Sequence, residues 1–531
     1  MIPVIDLFAG PGGLGEGFSS LRDEKNMPVF QTIMSIEKDE QAHKTLRLRA
    51  YLRKILSEDG SVPRVYLRYM AEQSEENWEN LIAYRPNLWE AACQEALCAE
   101  LVEGDNSLVE KGRELLSRWR VANDENAPLV LIGGPPCQAY SLVGRSRRAH
   151  DADFDKDVKH TLYKCYLSFI TELNPEIFVM ENVKGLLSAR HKGQGVFAHI
   201  YEDMSEAGYE IRSLVKEQPA VPKDYVVEAE RYGIPQMRHR VILLGVRKTS
   251  RIETSILRPV REVTLEEALV GIPKIRSSFS ENNAGWRDMN WAKYIDDAAK
   301  RIMKLSECED LKPVLENVLA SRPPKKSSKN RVTGDEGIYT KWYRGRFRQS
   351  KLLANHVARS HMATDLDRYL FCAAYAEVYG EPARLEDFPD ALLPEHRNVK
   401  DNIEKVRSGG EYEFNDRFRV QVWDKPATTI TSHISKDGHY YIHPDPTQCR
   451  SLSVREAARL QTFPDDYLFE GNRTSQYTQV GNAVPPLLAQ QIAMVVAEAL
   501  DVTAYGFCQQ LKPSDEESSS CKDTRGSLFD S

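Results

Sequence analysis

A doubly wound α/β fold with a mostly parallel sheet is what this sequence predicts, on three observations. Short apolar runs rich in β-branched residues recur between helix-like stretches: "IPVIDLF" (2–8), "FQTIMSIE" (30–37), "PLVLIGG" (128–134), "EIFVMENV" (176–183) and "RVILLGV" (240–246). Near-continuous apolarity is what a strand covered on both faces requires. The first run opens directly into a glycine-rich turn, "DLFAGPGGLGEGF". The alternation then persists to about residue 250, which makes 1–250 one catalytic-type domain.

The rest of the chain departs from that rhythm. Residues 42–103 form a charged, helix-favouring insertion, and its Trp78 and Trp89 are expected as the core of a helical subdomain. From 251 to 425 the pattern is irregular and polar, as for a smaller separate domain. Over 426–508 helix signals return to pack on the first domain. In "SVREAARLQTF", Ser453 caps a helix and Glu456, three residues on, completes a capping box. Residues 509–531 have almost nothing apolar to bury and are expected to be disordered.

With 531 residues the chain can bury a large core in at least two domains. Its net charge of -7 gives no global attraction to a polyanion, so any nucleic-acid contact must come from local basic patches. Nine cysteines, odd in number and without a CxxC pair, fit a reducing compartment better than a disulfide framework or a zinc cluster. No ligand spacing for a metal is present. No apolar run approaches the roughly 20 residues that span a bilayer, and the first residues read as a strand and not a leader. A cytoplasmic protein without membrane attachment is expected.

Gly10, Gly12 and Gly15 stand in GxGxxG spacing after the first strand. Such a turn lets backbone approach a nucleotide before a helix begins, and Glu37, ending the next strand, is placed to hydrogen-bond ribose hydroxyls. Asp105, in "EGDNS", is a further acid within reach of an adenine amino group. These residues point to an adenosine-containing cofactor and leave NAD and S-adenosylmethionine both open.

In "GGPPCQAYS" (133–141), Pro135 and Pro136 fix two φ angles and remove two N–H donors. Cys137 is thereby held at the carboxyl edge of a strand, where open α/β sheets bind ligands. A rigid thiol there is a candidate nucleophile. Thiolate addition turns an electron-poor ring into an enamine-like nucleophile, and carbon 5 of cytosine is a centre that needs such help to accept a methyl group.

The blocks "DLFAGPGG", "GGPPCQAYS", "ENV" (181–183), "QMRHRVILLG" (236–245), "REAARLQTFPDDY" (455–467) and "GNAVPPLLA" (481–489) occur in this order. Together they resemble the DNA cytosine-5 methyltransferase family, of the bacterial restriction-modification type, over roughly 1–250 and 425–500. The resemblance implies a Rossmann-like S-adenosylmethionine-dependent methyltransferase fold with a target recognition domain at 251–425. It implies a cytosine flipped out of duplex DNA. It makes Cys137 the nucleophile, Glu181 the acid at ring nitrogen 3, Arg240 the contact to the base and Arg238 its support. Asp6, Phe8, Gly10, Gly12, Gly13, Glu37, Asp105, Pro135 and Asn482 are then the residues expected around S-adenosylmethionine.

Gln236, Arg238 and Arg240 alternate, which predicts one shared strand face. Gln236 is expected at the DNA, with Gln138 and Ser141 beside the cysteine. Arg145 and Arg147, in the basic loop "GRSRR", are expected to close over the extruded nucleotide. The stretch 322–351 interleaves Lys and Arg with Tyr339, Trp342, Tyr343 and Phe347; Lys341, Arg344 and Arg346 are its candidate DNA contacts. The expected partners are double-stranded DNA and a cognate restriction endonuclease, with the enzyme a monomer. An NAD-dependent oxidoreductase predicts neither the Pro-Pro-Cys block nor the paired arginines. An amino-methyltransferase predicts an aromatic residue where Cys137 stands. A non-catalytic or RNA-directed relative is the remaining alternative.

Overall fold

In the computed structural model, which describes residues 1–136, 162–191, 194–281, 289–326, 331–347, 350–394 and 416–511 with a few isolated residues besides, eight strands form the central sheet. They are β1 (Ile2–Leu7), β2 (Phe30–Glu37), β3 (Ala96–Cys98), β4 (Val130–Gly133), β5 (Ile177–Val183), β6 (Tyr209–Arg212), β7 (Val226–Glu228) and β8 (His239–Arg247). The order is β3-β2-β1-β4-β5-β8-β6, with β7 also on β8. β3, β2, β1, β4 and β5 pair in parallel, whereas β8 runs antiparallel to β5, β6 and β7. The winding reverses between β1 and β4, and the crevice that such a reversal opens lies outside the carboxyl ends of those strands.

Alternation along each strand divides the core in two. Val130 and Ile132 of β4 and Ile177 and Val179 of β5 join Val4 against α1 (Gly13–Ser20). Leu131, Phe178 and Met180 point the other way. They meet α6 (Ser107–Ala122), α7 (Leu162–Leu173) and α8 (Val196–Glu206).

Between β2 and α6 lie α2 (Glu40–Asp59), α3 (Arg64–Ala71), α4 (Glu75–Ile82) and α5 (Pro86–Glu95). Trp78 and Trp89 meet edge to face, ring centroids 5.2 Å apart, in a cluster with Tyr51, Tyr66 and Leu81. The expectation of an insertion over 42–103 needs a correction at its end: Ala96–Cys98 is the edge strand of the sheet itself, in register with Ser35–Glu37. A three-residue edge strand is too short to announce itself by periodicity.

The middle of the chain contributes α9 (Leu265–Leu269), α10 (Trp291–Ile302), α11 (Lys312–Ala320), α12 (Thr340–Arg344) and α13 (Ala363–Tyr379). α10, α11 and α13 build a core of their own. The stretch around α12 does not belong to it. Tyr339 and Tyr343 are buried in the core under the sheet, and Phe347 is buried with the α2–α5 cluster.

The late part of the chain contributes α14 (Val454–Leu460), α15 (Arg473–Asn482) and α16 (Pro486–Ala499). The capping box of α14 forms: the Ser453 hydroxyl accepts from Glu456 N–H at 3.2 Å and the Glu456 carboxylate accepts from Ser453 N–H at 2.7 Å. α16 lies on α1, so close that a Cβ on Gly17 would stand 2.3 Å from the Ala489 Cβ. Arg473–Ala499 is long and apolar enough to cross a bilayer, but 89% of its apolar window is buried, as in a core helix.

Candidate active site

Three chain segments converge at the carboxyl edge of the sheet. The first is the turn after β1. Phe8 takes φ 56, a left-handed conformation that a bulky residue adopts only when its surroundings impose it. Its ring packs on the apolar cluster behind the sheet. Gly10 and Gly12 follow at φ 57 and 98, and Gly12 N–H closes the turn on the Ala9 carbonyl at 2.9 Å. Open space surrounds the Cβ position of Gly10, whereas a Cβ on Gly13 would lie 2.2 Å from the Val484 carbonyl oxygen. Gly10 thus keeps an approach free, and Gly13 seats the turn on the late block "GNAVPP".

Glu37, ending β2, accepts from Gly10 N–H at 2.9 Å and from Asp39 N–H at 2.7 Å. Burial pushes its carboxyl above the usual carboxylate range, against the pull of those two amides. Asp6 is deeper, under the turn beside Gly15. Burial raises its carboxyl to about 8, opposed by Arg53, and neither of its oxygens has a well-formed hydrogen bond. Asp6 thus lies beneath the turn with the Gly15 backbone beside it, and its carboxyl is buried and not exposed at the open side over Gly10. Asp105 is exposed and accepts from Ser107 N–H at the start of α6 at 2.9 Å. Asn482 is exposed at the end of α15.

The second segment leaves β4. Gly133 packs against the Leu7 carbonyl, and a Cβ on Gly134 would lie 3.0 Å from Glu181 Oε2. Pro135 is buried, its carbonyl accepting from Asn182 Nδ2 at 3.3 Å. The missing side chain at 134 and the two prolines thus bring the backbone leading to position 137 against the Glu181 carboxylate. Cys137, Gln138, Ser141, Arg145 and Arg147 lie outside the described residues.

The third segment is β8. Arg240 Nε stands 2.9 Å from Glu181 Oε1. Burial lowers the Arg240 guanidinium from its ordinary range, and Glu181 acts in the opposite direction. The predicted common face of Gln236, Arg238 and Arg240 is corrected, because the chain breaks out of β8 before His239. Gln236–Met237 pairs instead with Ala427–Thr428. The fully buried Gln236 amide donates to the Leu460 carbonyl at 2.7 Å, and its oxygen accepts from Ile430 N–H at 3.0 Å. Gln236 is therefore not a DNA contact. Arg238, also buried, donates to the carbonyls of Ile430, Gly481 and Ala483 at 2.8, 3.3 and 2.9 Å. It ties the strand to the return segment and to the end of α15, and it does not reach Glu181.

The basic stretch of the middle segment divides likewise. Arg344 is buried, with Nη1 2.9 Å from Asp465 Oδ2, which removes it from the candidate DNA contacts. Tyr343 donates to the Arg459 carbonyl and Trp342 to that of Thr462, both at 2.7 Å. These aromatics anchor the segment and do not stack on bases. Lys341 is exposed, with Gln510 at 3.1 Å. Arg346 lies in a single helical turn, and its side chain is outside the described set. Sequence reasoning missed Arg49, Asp466 and Tyr467, which join the glycine turn from α2 and from the segment after α14. The block "FPDDY" was the available signal.

A doubly wound sheet with an open glycine turn, an acid ending the second strand and a carboxylate–guanidinium pair beside a rigid Pro-Pro edge defines an α/β enzyme with its site at the carboxyl edge of the sheet. A family model described as C-5 cytosine-specific DNA methylase matches residues 100–498. Among curated relatives, the Type II methyltransferase M.Bpa9945I of Bacillus paralicheniformis is 31% identical, over 94% of this chain and 99% of that one. The DNA (cytosine-5-)-methyltransferase M.ApeKI of Aeropyrum pernix is 27% identical over 70% and 81%. Among solved structures, one described as a putative DNA modification methyltransferase encoded within a prophage (E. coli) matches with a TM-score of 0.52 at 20% identity, covering 94% of this chain and 100% of that one. That likeness concerns the fold.

The chain belongs to the C-5 cytosine-specific DNA methylase family. Its activity is the methylation of DNA cytosine at carbon 5.

Proposed function

We propose that this enzyme uses S-adenosylmethionine to methylate cytosine within a specific duplex sequence, through a covalent adduct on Cys137. The observation that carries the reading is the Arg240–Glu181 pair, 2.9 Å apart and set against Gly134 at the head of the Pro-Pro-Cys turn. The free approach over Gly10, with Glu37 accepting from its N–H, fits the adenosine part of the cofactor, and Phe8 is the aromatic residue of the same turn. When bound, the cofactor supplies an electrophilic methyl group.

Cys137 adds its sulfur to carbon 6 of a cytosine turned out of the duplex. Glu181, in its protonated form, gives its proton to ring nitrogen 3 as electron density moves there, with Arg240 against both its carboxyl and the base carbonyl. After methylation a base takes the carbon 5 proton, the bond between carbon 6 and sulfur breaks, and nitrogen 3 returns its proton to Glu181, which restores the ring. Lys341 supports the DNA from the middle segment. As in the restriction-modification systems to which its relatives' names point, the enzyme marks host DNA in the cytoplasm against an endonuclease of the same specificity.

Cys137→Ser is expected to abolish methylation while S-adenosylhomocysteine binding stays near wild type. DNA with 5-fluorocytosine at the target is expected to trap wild-type enzyme as a denaturant-resistant adduct. Product formation by the serine variant, or no adduct with wild type, would overturn the reading.

A further inference from the structure

Tyr467 belongs to the segment after α14, 456 residues from the turn that follows β1, yet its hydroxyl donates to the carbonyl of Pro11, between Gly10 and Gly12. Gly12 makes this contact possible: a Cβ there would stand 2.9 Å from the Tyr467 hydroxyl and 2.9 Å from Leu46 Cδ1. The tyrosine is itself fixed from three sides. The Arg49 guanidinium lies 4.7 Å from its ring centroid, and Phe463 and Phe469 flank it at 4.8 and 5.5 Å.

Arg49 ties the same network to α1 and to the neighbouring residue. Its Nε and Nη2 reach the two Glu16 oxygens at 2.8 and 2.5 Å, and its Nη1 reaches Asp466 Oδ1 at 3.0 Å. Tyr66 of α3 donates to the Asp466 carbonyl at 2.8 Å. All of these side chains are buried. The inserted helices and the late segment thus hold the turn at Pro11 and Gly12, while the Cβ position of Gly10 beside them stays open.

We infer that Tyr467 is a positioning residue for the cofactor: its hydroxyl sets the orientation of the Gly10–Pro11–Gly12 backbone, and α2 and α3 hold it there. The inference rests on the reading of this turn as the S-adenosylmethionine site. Tyr467→Phe keeps the ring between Arg49 and the phenylalanines and removes one hydrogen bond, whose net worth corresponds to roughly a three- to tenfold change in an equilibrium constant.

The test compares Y467F with Y477F. Tyr477 also donates a buried hydroxyl to a carbonyl, but to that of Leu452 at 2.6 Å and not to the turn after β1, and it shares the apolar cluster of Tyr467. Y467F is expected to raise KM for S-adenosylmethionine and Kd for S-adenosylhomocysteine about three- to tenfold, with kcat and the KM for DNA within twofold. Y477F is expected to leave all four within twofold. Unchanged cofactor affinity in Y467F overturns the inference. So does an equal rise in the KM for DNA, which marks general loosening. If wild-type protein fails to bind S-adenosylhomocysteine, the cofactor reading falls and takes this inference with it; binding that Y467F leaves intact sinks this inference alone.

Discussion

Across the antiparallel pair β5–β8, Arg240 Nε lies 2.9 Å from Glu181 Oε1, while Arg240 Nη1 donates to the carbonyl of its own neighbour His239 at 2.9 Å. The two side chains keep 15% and 13% of their surface open. They are therefore ordered before substrate arrives and still reachable by it, which is the preorganisation an electrostatic site requires.

Arg240→Lys and Glu181→Gln are each expected to lower kcat by about 10²–10³, the range seen when one preorganised donor is removed. Lysine cannot reproduce a guanidinium that serves a carboxylate and a base together. Because the residues act as one unit, the double variant should lose much less than the product of the two. Steady-state kinetics with S-adenosylhomocysteine binding as control measures this, and full additivity would speak against the pairing.

Arg238 is expected to act on stability. It donates to three carbonyls belonging to the return segment and the end of α15, and burial holds its guanidinium well below the ordinary arginine range. Arg238→Met takes this donor from the Ile430 and Gly481 carbonyls, while Ala483 keeps Gln461 Nε2 at 3.1 Å, at a cost of about 1–3 kcal/mol. Denaturant unfolding should reveal a loss of this order, with kcat per folded molecule far less affected than in Arg240→Lys. A fully stable variant with the same kcat defect would return Arg238 to the base.

For the basic stretch, Arg344→Ala and Lys341→Ala should separate. Arg344 shares the buried Asp465 with Arg459, whose Nη2 lies 2.8 Å from the same carboxylate. Its loss is expected to destabilise by about 2–4 kcal/mol and to leave the Kd for target DNA unchanged at permissive temperature. Lys341 is exposed, so its loss should spare the melting temperature, weaken DNA binding severalfold at low salt and flatten the salt dependence by about one charge. Melting curves and binding titrations at two salt concentrations decide both.

The contrast shows what the sequence carries and where it stops. Five of the eight strands read directly as apolar runs, because burial on both faces leaves no polar alternation to confuse them. The edge strand β3 and the short β6 and β7 lack that signature. Glu181 and Arg240 were legible because each sits next to a strand end within a recognisable block. Gln236, Arg238 and Arg344 were misplaced for one reason: polar residues look like ligand groups until the carbonyls and carboxylates that satisfy them are known, and most of those come from segments more than 100 residues away. Tyr467 was marked by the block "FPDDY", but nothing local to that block points to its partner at residue 11.

The pH dependence of stability is set by buried histidines, chiefly in the middle and late segments. Burial is the largest cause in each case. It holds His356 at about 4, where Glu456 pulls upward and Arg450 and Arg459 push down. His361 is at about 3, lowered further by His439, Arg359, Arg473 and Arg450. His443 is also at about 3, between Arg450 on one side and Glu456 and Asp445 on the other. The unfolded chain protonates these rings near 6.5 and the folded chain only well below it. The stability they contribute is thus complete above 6.5 and is lost as pH falls toward 4. Asp6, raised to about 8, works in the opposite sense: its folded form stays protonated where the unfolded form does not, so its contribution grows as pH falls. His43 and His439, also lowered by burial, act in the same sense as the three histidines, whereas Glu37, Asp367, Glu377 and Glu470, raised by burial, act with Asp6; with the histidine shifts dominant, unfolding free energy should drop between pH 6.5 and 5. Asp6→Asn removes one opposing group and should steepen the drop. Denaturant titrations at pH 7, 6 and 5 test both, and a stability that is flat or rising toward pH 5 would show that the three histidines titrate normally in the folded protein.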